Sequence, residues 1–124
     1  MSFISALDHT SLTMPKGGEP QARAFYGGLL GLTEIPKPDD GNRMDGCWFD
    51  LGAQQLHMLV DEGFSAAKRS HPAFCVHDLD ALREAFSAHD LPVNTFKPSE
   101  GRARFFGEDP FGNRLEFISQ RTKL

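Results

Sequence analysis

Cysteine is scarce in this chain, with only Cys47 and Cys75 among 124 residues and no paired spacing between them. That excludes a disulfide framework and a thiolate zinc site. Both thiols lie in apolar, strand-like runs, where a free cysteine is expected to be buried and structural. Long apolar runs are also missing, and nothing approaches the ~20 residues of a membrane span. Basic runs are absent and the net charge is −4, so there is no electrostatic footprint for nucleic acid. The opening Met1-Ser2-Phe3-Ile4-Ser5 has neither a basic leader nor an apolar signal core, which points to a cytoplasmic protein. Tyrosine and tryptophan occur once each against eleven phenylalanines. Phenylalanine brings apolar bulk without a polar handle. Part of it is expected to line an apolar cavity, although packing the core would account for all of it equally well.

What is present is ordinary in amount and repeated in arrangement. With 40% hydrophobic and 24% charged residues, the chain has the composition of a globular protein and the length of one domain, 1–124. In the first half an alternating strand runs from Leu7 to Thr13, with His9 and Ser11 on one face. Pro15-Lys16-Gly17-Gly18 breaks it. A helix follows on the spacing of Ala22, Phe25, Tyr26, Leu29 and Leu30, with Pro20 in its first turn and Gly31 in the left-handed position that ends it. A short strand is expected at 32–35. The polar stretch from Lys37 to Asp45 is the expected mobile loop, and a hairpin then turns at Gly52-Ala53.

The second half says the same thing again. A strand is expected from His71 to Val76, then a helix capped by Asp78 with Leu79, Leu82 and Phe86 as its apolar stripe. A short strand at 93–96 is followed by a loop through Pro98-Ser99-Glu100-Gly101. The last hairpin pairs 104–106 with 114–119 across Asp109-Pro110-Phe111-Gly112-Asn113. The expected fold class is α+β, two strand–helix–strand–strand–strand modules at about 5–60 and 71–120, joined by a linker at 61–70. Neither module has enough core to stand alone, so two must pack together.

The repeat carries the chemistry. His9 and His57 are 48 residues apart on the first and last strands of the first half, and His71 and Glu116 are 45 apart in the second. Corresponding positions brought to a shared centre would gather three imidazoles and a carboxylate, a donor set for a divalent metal. Without thiolates such a site suits zinc, nickel, manganese, cobalt or iron, and the ligands alone do not choose among them. Glu116 gives an independent reason. It stands among Leu115, Phe117 and Ile118, where a carboxylate is costly unless paired, protonated or metal-bound. Its other reading is an outward-facing residue of an alternating strand. His57 suits a fourth ligand or a general base with near-neutral pKa. His77 and His89, beside the second helix, read as structural. Arg102 and Arg104 would meet an anionic part of a substrate, or else lie on a solvated strand edge.

Four motifs carry a family resemblance: Leu7-Asp8-His9-Thr10; Phe25-Tyr26 with Leu30-Gly31-Leu32; His71-Pro72-Ala73-Phe74; and Asp109-Pro110-Phe111-Gly112-Asn113-Arg114-Leu115-Glu116. Together they resemble the vicinal oxygen chelate superfamily. That group includes lactoylglutathione lyase, methylmalonyl-CoA epimerase, fosfomycin-resistance thiol transferases, extradiol dioxygenases and bleomycin-resistance proteins. The resemblance implies paired βαβββ modules whose curved sheets enclose a metal, with His9, His71 and Glu116 at ligand positions. At position 57 the lyase pattern has a carboxylate, the epimerase pattern an amide, and the fosfomycin-resistance pattern usually no ligand. The expected activity is that of a metal-dependent lyase or isomerase on a small molecule with vicinal oxygens, Glu116 or His57 moving the proton. The alternatives are a thiol transferase of the fosfomycin-resistance kind and a metal-free drug-binding resistance protein. Short members of the group usually pair modules between subunits, so a homodimer is expected. Substrate choice resides in the loops 37–45 and 97–102.

Overall fold

A computed structural model describes residues 1–39, 41 and 43–121. The chain divides into two compact units, the first ending at Ser65 and the second starting at Ala66. In the first, strand β1 (His9–Met14) leads to helix α1 (Glu19–Ala22), which widens into a π-helical segment (Arg23–Leu29). Strands β2 (Glu34–Ile35), β3 (Cys47–Leu51) and β4 (Gln54–Val60) follow. The second unit contains β5 (Ala73–Val76), α2 (Leu79–Ala88), β6 (Asn94–Ser99), β7 (Arg102–Glu108) and β8 (Arg114–Ser119).

The two sheets share one topology. Their strand orders are β1-β4-β3-β2 and β5-β8-β7-β6, with the first strand of each parallel to the last and the other neighbours antiparallel. A parallel first and last strand requires a crossover, and the helix supplies it. The chain is therefore α+β, built of two βαβββ modules.

In each module one sheet face packs on the helix. Met14, Cys47, Phe49, Leu56 and Met58 are buried with Phe25 and Tyr26 in the first. In the second, Phe105 and Phe117 lie 5.5 Å from the Phe86 ring of α2. Alternation then turns the intervening residues, His57 and Trp48 in one sheet and Glu116 and Phe106 in the other, to the opposite face.

Several local features differ from the sequence reading. The first helix does not stay α-helical: Gly27 and Gly28 weaken its second half, and Leu30 N donates to Phe25 O at 2.9 Å, the wider π spacing. Gly31 does end it, at φ +77°. Strand β6 runs on through Pro98 to Ser99, and Glu100 and Gly101, at φ 53° and 71°, make a tight hairpin turn where a loop was expected. Pro98 is tolerated because β6 is an edge strand with a register irregularity between Phe96 and Ser99. Cys75 is exposed, contrary to expectation, while Cys47 is buried. Its strand β5 lies at the sheet edge, where Phe74 and Val76 turn inward and Ala73 and Cys75 turn out. Of the loop 37–45, Asp40 and Asn42 lie outside the described residues. Lys37 Nζ donates there to the carbonyls of Arg43 and Asp45.

Candidate metal centre

The unequal intervals of 48 and 45 residues resolve into one register. In β1, Ser11 lies opposite His57, and His9 stands two residues before Ser11. In the second module Ala73 lies opposite Glu116, and His71 stands two residues before Ala73. On the other side of the last strand, Trp48 faces His57 and Phe106 faces Glu116. Each module thus sets one histidine diagonally to the key last-strand residue, with an aromatic ring as that residue's other neighbour.

In both modules this histidine is held through Nδ1. His9 Nδ1 donates to Asp8 Oδ2 at 2.9 Å, and His71 Nδ1 donates to the Arg69 carbonyl at 2.8 Å. Carboxylate and carbonyl oxygens accept only, so Nδ1 carries the proton and Nε2 presents the lone pair. That is how an outer partner prepares a histidine for metal ligation.

The surroundings then diverge. His71 Nε2 lies 3.0 Å from Glu116 Oε1. With Nδ1 already a donor, that contact needs a proton or a cation between the two atoms. Arg104 Nη1 holds the other Glu116 oxygen at 3.2 Å, and Arg104 Nε donates to Lys97 O at 3.1 Å. Glu116 is 7% exposed, so the paired-carboxylate reading of its apolar strand describes it. In the first module the His57 ring is sandwiched, 4.1 Å from His9 and 3.6 Å from Trp48 between ring centroids. The Trp48 pair is parallel to within 4°. His57 Nε2 donates to Gln55 Oε1 at 2.9 Å. Burial first, and the His9 imidazole second, hold the His57 pKa below its ordinary value. Cofacial rings point their in-plane lone pairs side by side, so in this arrangement His57 braces His9.

Among the described residues of either module, no group of three or more His, Cys, Asp or Glu side chains could hold a metal ion. Each module supplies two of the four expected donors. The donor chemistry of His71 and Glu116 fits a divalent cation: one prepared imidazole nitrogen beside one carboxylate oxygen.

Arg102, the other expected anion contact, donates through Nε to Ser119 O at 2.9 Å and through Nη2 to Cys75 Sγ at 3.5 Å. His77 Nδ1 pairs with Gln120 Nε2, and His89 Nδ1 with the Ala85 carbonyl at the end of α2. The last loop acts by fixing the approach to Glu116. Asp109 Oδ1 accepts from the Phe111 and Asn113 amides, both at 2.9 Å, while Oδ2 accepts from Asn113 Nδ2 at 2.8 Å. Gly112 adopts φ +88° there. Trp48 and Phe106 were missed by reasoning from histidines and carboxylates. Their signal was an aromatic side chain on the strand paired with each last strand.

The sequence profile of the Glyoxalase/Bleomycin resistance protein/Dioxygenase superfamily matches residues 6–117, and the chain belongs to that superfamily. Among solved structures, a protein described as of the glyoxalase family from Bacillus anthracis is 39% identical, with 98% of this chain and 99% of that one covered at a TM-score of 0.90. A lactoylglutathione lyase from Agrobacterium tumefaciens is 23% identical over 95% of this chain and 96% of its own, at TM-score 0.73. The fosfomycin resistance protein FosX from Listeria monocytogenes is 15% identical over 98% and 96%, at TM-score 0.71. These last two likenesses are of fold. No curated protein matches the chain. Among the described residues no helix is long and apolar enough to cross a membrane.

Proposed function

We propose that this protein is a cytoplasmic, homodimeric, metal-dependent lyase or isomerase acting on a small molecule with two neighbouring oxygens. The observation that carries the reading is the shared preparation of His9 and His71. Each has its Nδ1 proton tied to an outer oxygen, and His71 Nε2 lies 3.0 Å from Glu116 Oε1. His9, His71 and Glu116 would hold the metal, and His57 would join as a fourth ligand on leaving its stack. The two modules come from one chain or from two subunits, since the ten-residue linker spans up to ~36 Å when extended. A divalent metal bound there would supply a Lewis acid for the substrate oxygens.

The chain's own residues supply the rest. Glu116 moves the substrate proton through Oε1, the oxygen on the His71 side, while Arg104 fixes the other oxygen and so orients the carboxylate. The Phe106 ring, 5.0 Å from the His71 ring, excludes water from one side. Exposed Met1, Phe3, Ile4 and Leu7 ahead of β1 support the homodimer, since such apolar side chains gain by being covered.

One observation favours a second reading. While His57 stays between Trp48 and His9, the site reduces to His9, His71 and Glu116, the set expected of a thiol transferase of the fosfomycin-resistance kind. Elemental analysis of protein purified without chelator, beside a screen of dicarbonyl, thiol-conjugate and catechol substrates, tests both. The metal readings predict about one ion per site, lost in His71→Ala. Protein that stays metal-free when titrated with zinc, nickel, manganese, cobalt and iron would leave the drug-binding reading instead.

A further inference from the structure

A second feature of the second module includes Phe106, the residue paired with Glu116 across β7 and β8. A cavity of about 680 Å³ opens over β6 and β7, lined among others by Lys68, Asn94, Phe96, Phe106, Glu108 and Arg114. Phe96 and Phe106 form an aromatic floor, edge to face at 4.7 Å. The Arg114 guanidinium lies over Phe106 at 4.2 Å from the ring centroid. Arg102 and Arg104 already donate to protein oxygens or sulfur, but the Arg114 guanidinium makes no hydrogen bond or ion pair among the described residues, only its ring contacts. A guanidinium resting on a ring keeps its N–H edges free, and those edges match a carboxylate in paired, bidentate geometry.

We infer that Arg114 is the anion-recognising residue of this site and that the substrate is a small organic acid. Its carboxylate pairs with Arg114 while its carbon skeleton lies on Phe96 and Phe106. The link to the metal-dependent reading, on which the identification of this acid as the substrate rests, is Phe106 itself. That ring touches both the Arg114 guanidinium and the His71 imidazole, and Arg114 stands two residues before Glu116 on the same face of β8, so an acid held by Arg114 on this ring would be next to His71 and Glu116. Glu108, directly across the strand pair from Arg114, opposes a doubly charged group, which favours a carboxylate over a phosphoryl group.

The test uses the full-length protein stripped of metal, so its outcome does not depend on the metal. 3-Phenylpropanoate and its neutral counterpart 3-phenylpropanamide are titrated while the amide resonances of Gly107 and Gly112 are followed by NMR. The acid is expected to shift both resonances and to bind roughly tenfold or more tightly than the amide. Arg114→Ala and Arg114→Gln, checked for an unchanged melting temperature, should remove that preference, Arg114→Lys should keep part of it, and Arg102→Ala should keep all of it. Equal binding of acid and amide by the wild type would overturn the inference without reference to any variant. A preference that survives Arg114→Gln, or tighter binding of 2-phenylethylphosphonate than of the acid, would overturn it as well. Failure of the metal reading would appear separately, as an absence of metal in elemental analysis.

Discussion

The two modules place a histidine and a last-strand partner in the same register, yet the side-chain clusters they make differ. In the second, His71 meets a carboxylate, and Arg104 anchors that carboxylate from behind. In the first, His9 meets an imidazole, and the two rings stack with Trp48 instead of converging. One register therefore supports two kinds of contact, and the last-strand residue diagonal to the histidine decides which. A carboxylate draws the imidazole nitrogen through charge, whereas an aromatic partner draws the ring face. The outer support differs too. A backbone carbonyl holds His71, a contact no side-chain substitution removes, whereas the exposed Asp8 carboxylate holds His9.

The largest effect should come from breaking the second half-site. His71→Ala is expected to lower metal affinity on the order of 100-fold or more, measured by competition with a chromophoric chelator. Glu116→Gln should abolish turnover while weakening metal binding less, because an amide oxygen still coordinates. If both variants bind metal as the wild type does, the second module has no claim to the site.

Next in size is the frame of the first half-site. Gly46 precedes β3 at φ +84°, and a Cβ there would come within 2.4 Å of the Met58 carbonyl oxygen. Gly46→Ala should cost about 3 kcal/mol or more, read from urea unfolding. The corresponding tight spot in the second module is softer. A Cβ on Gly107 would approach the Phe86 ring to 2.8 Å, and a ring can shift, so Gly107→Ala should cost about 1–2 kcal/mol. The reverse ranking would mean that α2 is packed more rigidly than the start of β3.

Asp8→Asn sharpens the comparison of the outer partners. It should weaken metal binding roughly tenfold, toward the low end for such contacts because Asp8 is exposed. His57→Ala separates ligand from brace: a ligand takes much of the metal affinity with it, whereas a brace leaves the affinity within a few fold.

The smallest effects concern ionisation. Burial pushes the Cys47 thiol up to about 11, so in native protein a thiol reagent should label Cys75 and spare Cys47. Because Cys47 ionises more easily when unfolded, its contribution to stability holds below the ordinary thiol pKa and declines as the pH rises toward 11. Glu19 has the opposite sign. The Gly46 amide, at 2.9 Å from Oε2, holds its carboxyl below the ordinary value. That contribution is present above the ordinary carboxylate pKa and is lost as the pH falls through the lower folded value. Glu19→Gln should flatten the acid limb of the stability curve and cost no more than about 1 kcal/mol at neutral pH.

The sequence by itself determined the two-module plan and marked out the candidate donors. Helix and strand periods are local, glycines such as Gly31 mark their own turns, and a buried carboxylate in an apolar strand announces itself. Hence His9, His57, His71 and Glu116 stand out as candidates from their spacing, from the apolar strand around Glu116 and from the family resemblance. What only the tertiary structure decided were relations across strands. A difference of three residues between the half-domains disappears into one register because the loops absorb it. Cys75 is exposed because its strand lies at an edge, and strand order is not written in any local pattern. Trp48 braces His57, and Arg104 grips Glu116, because they stand on the neighbouring strand on the same face of the sheet. That the Arg114 guanidinium has no hydrogen-bond or ion-pair partner among the described residues is likewise legible only in the structure, since availability depends on what the neighbouring segments have already bound.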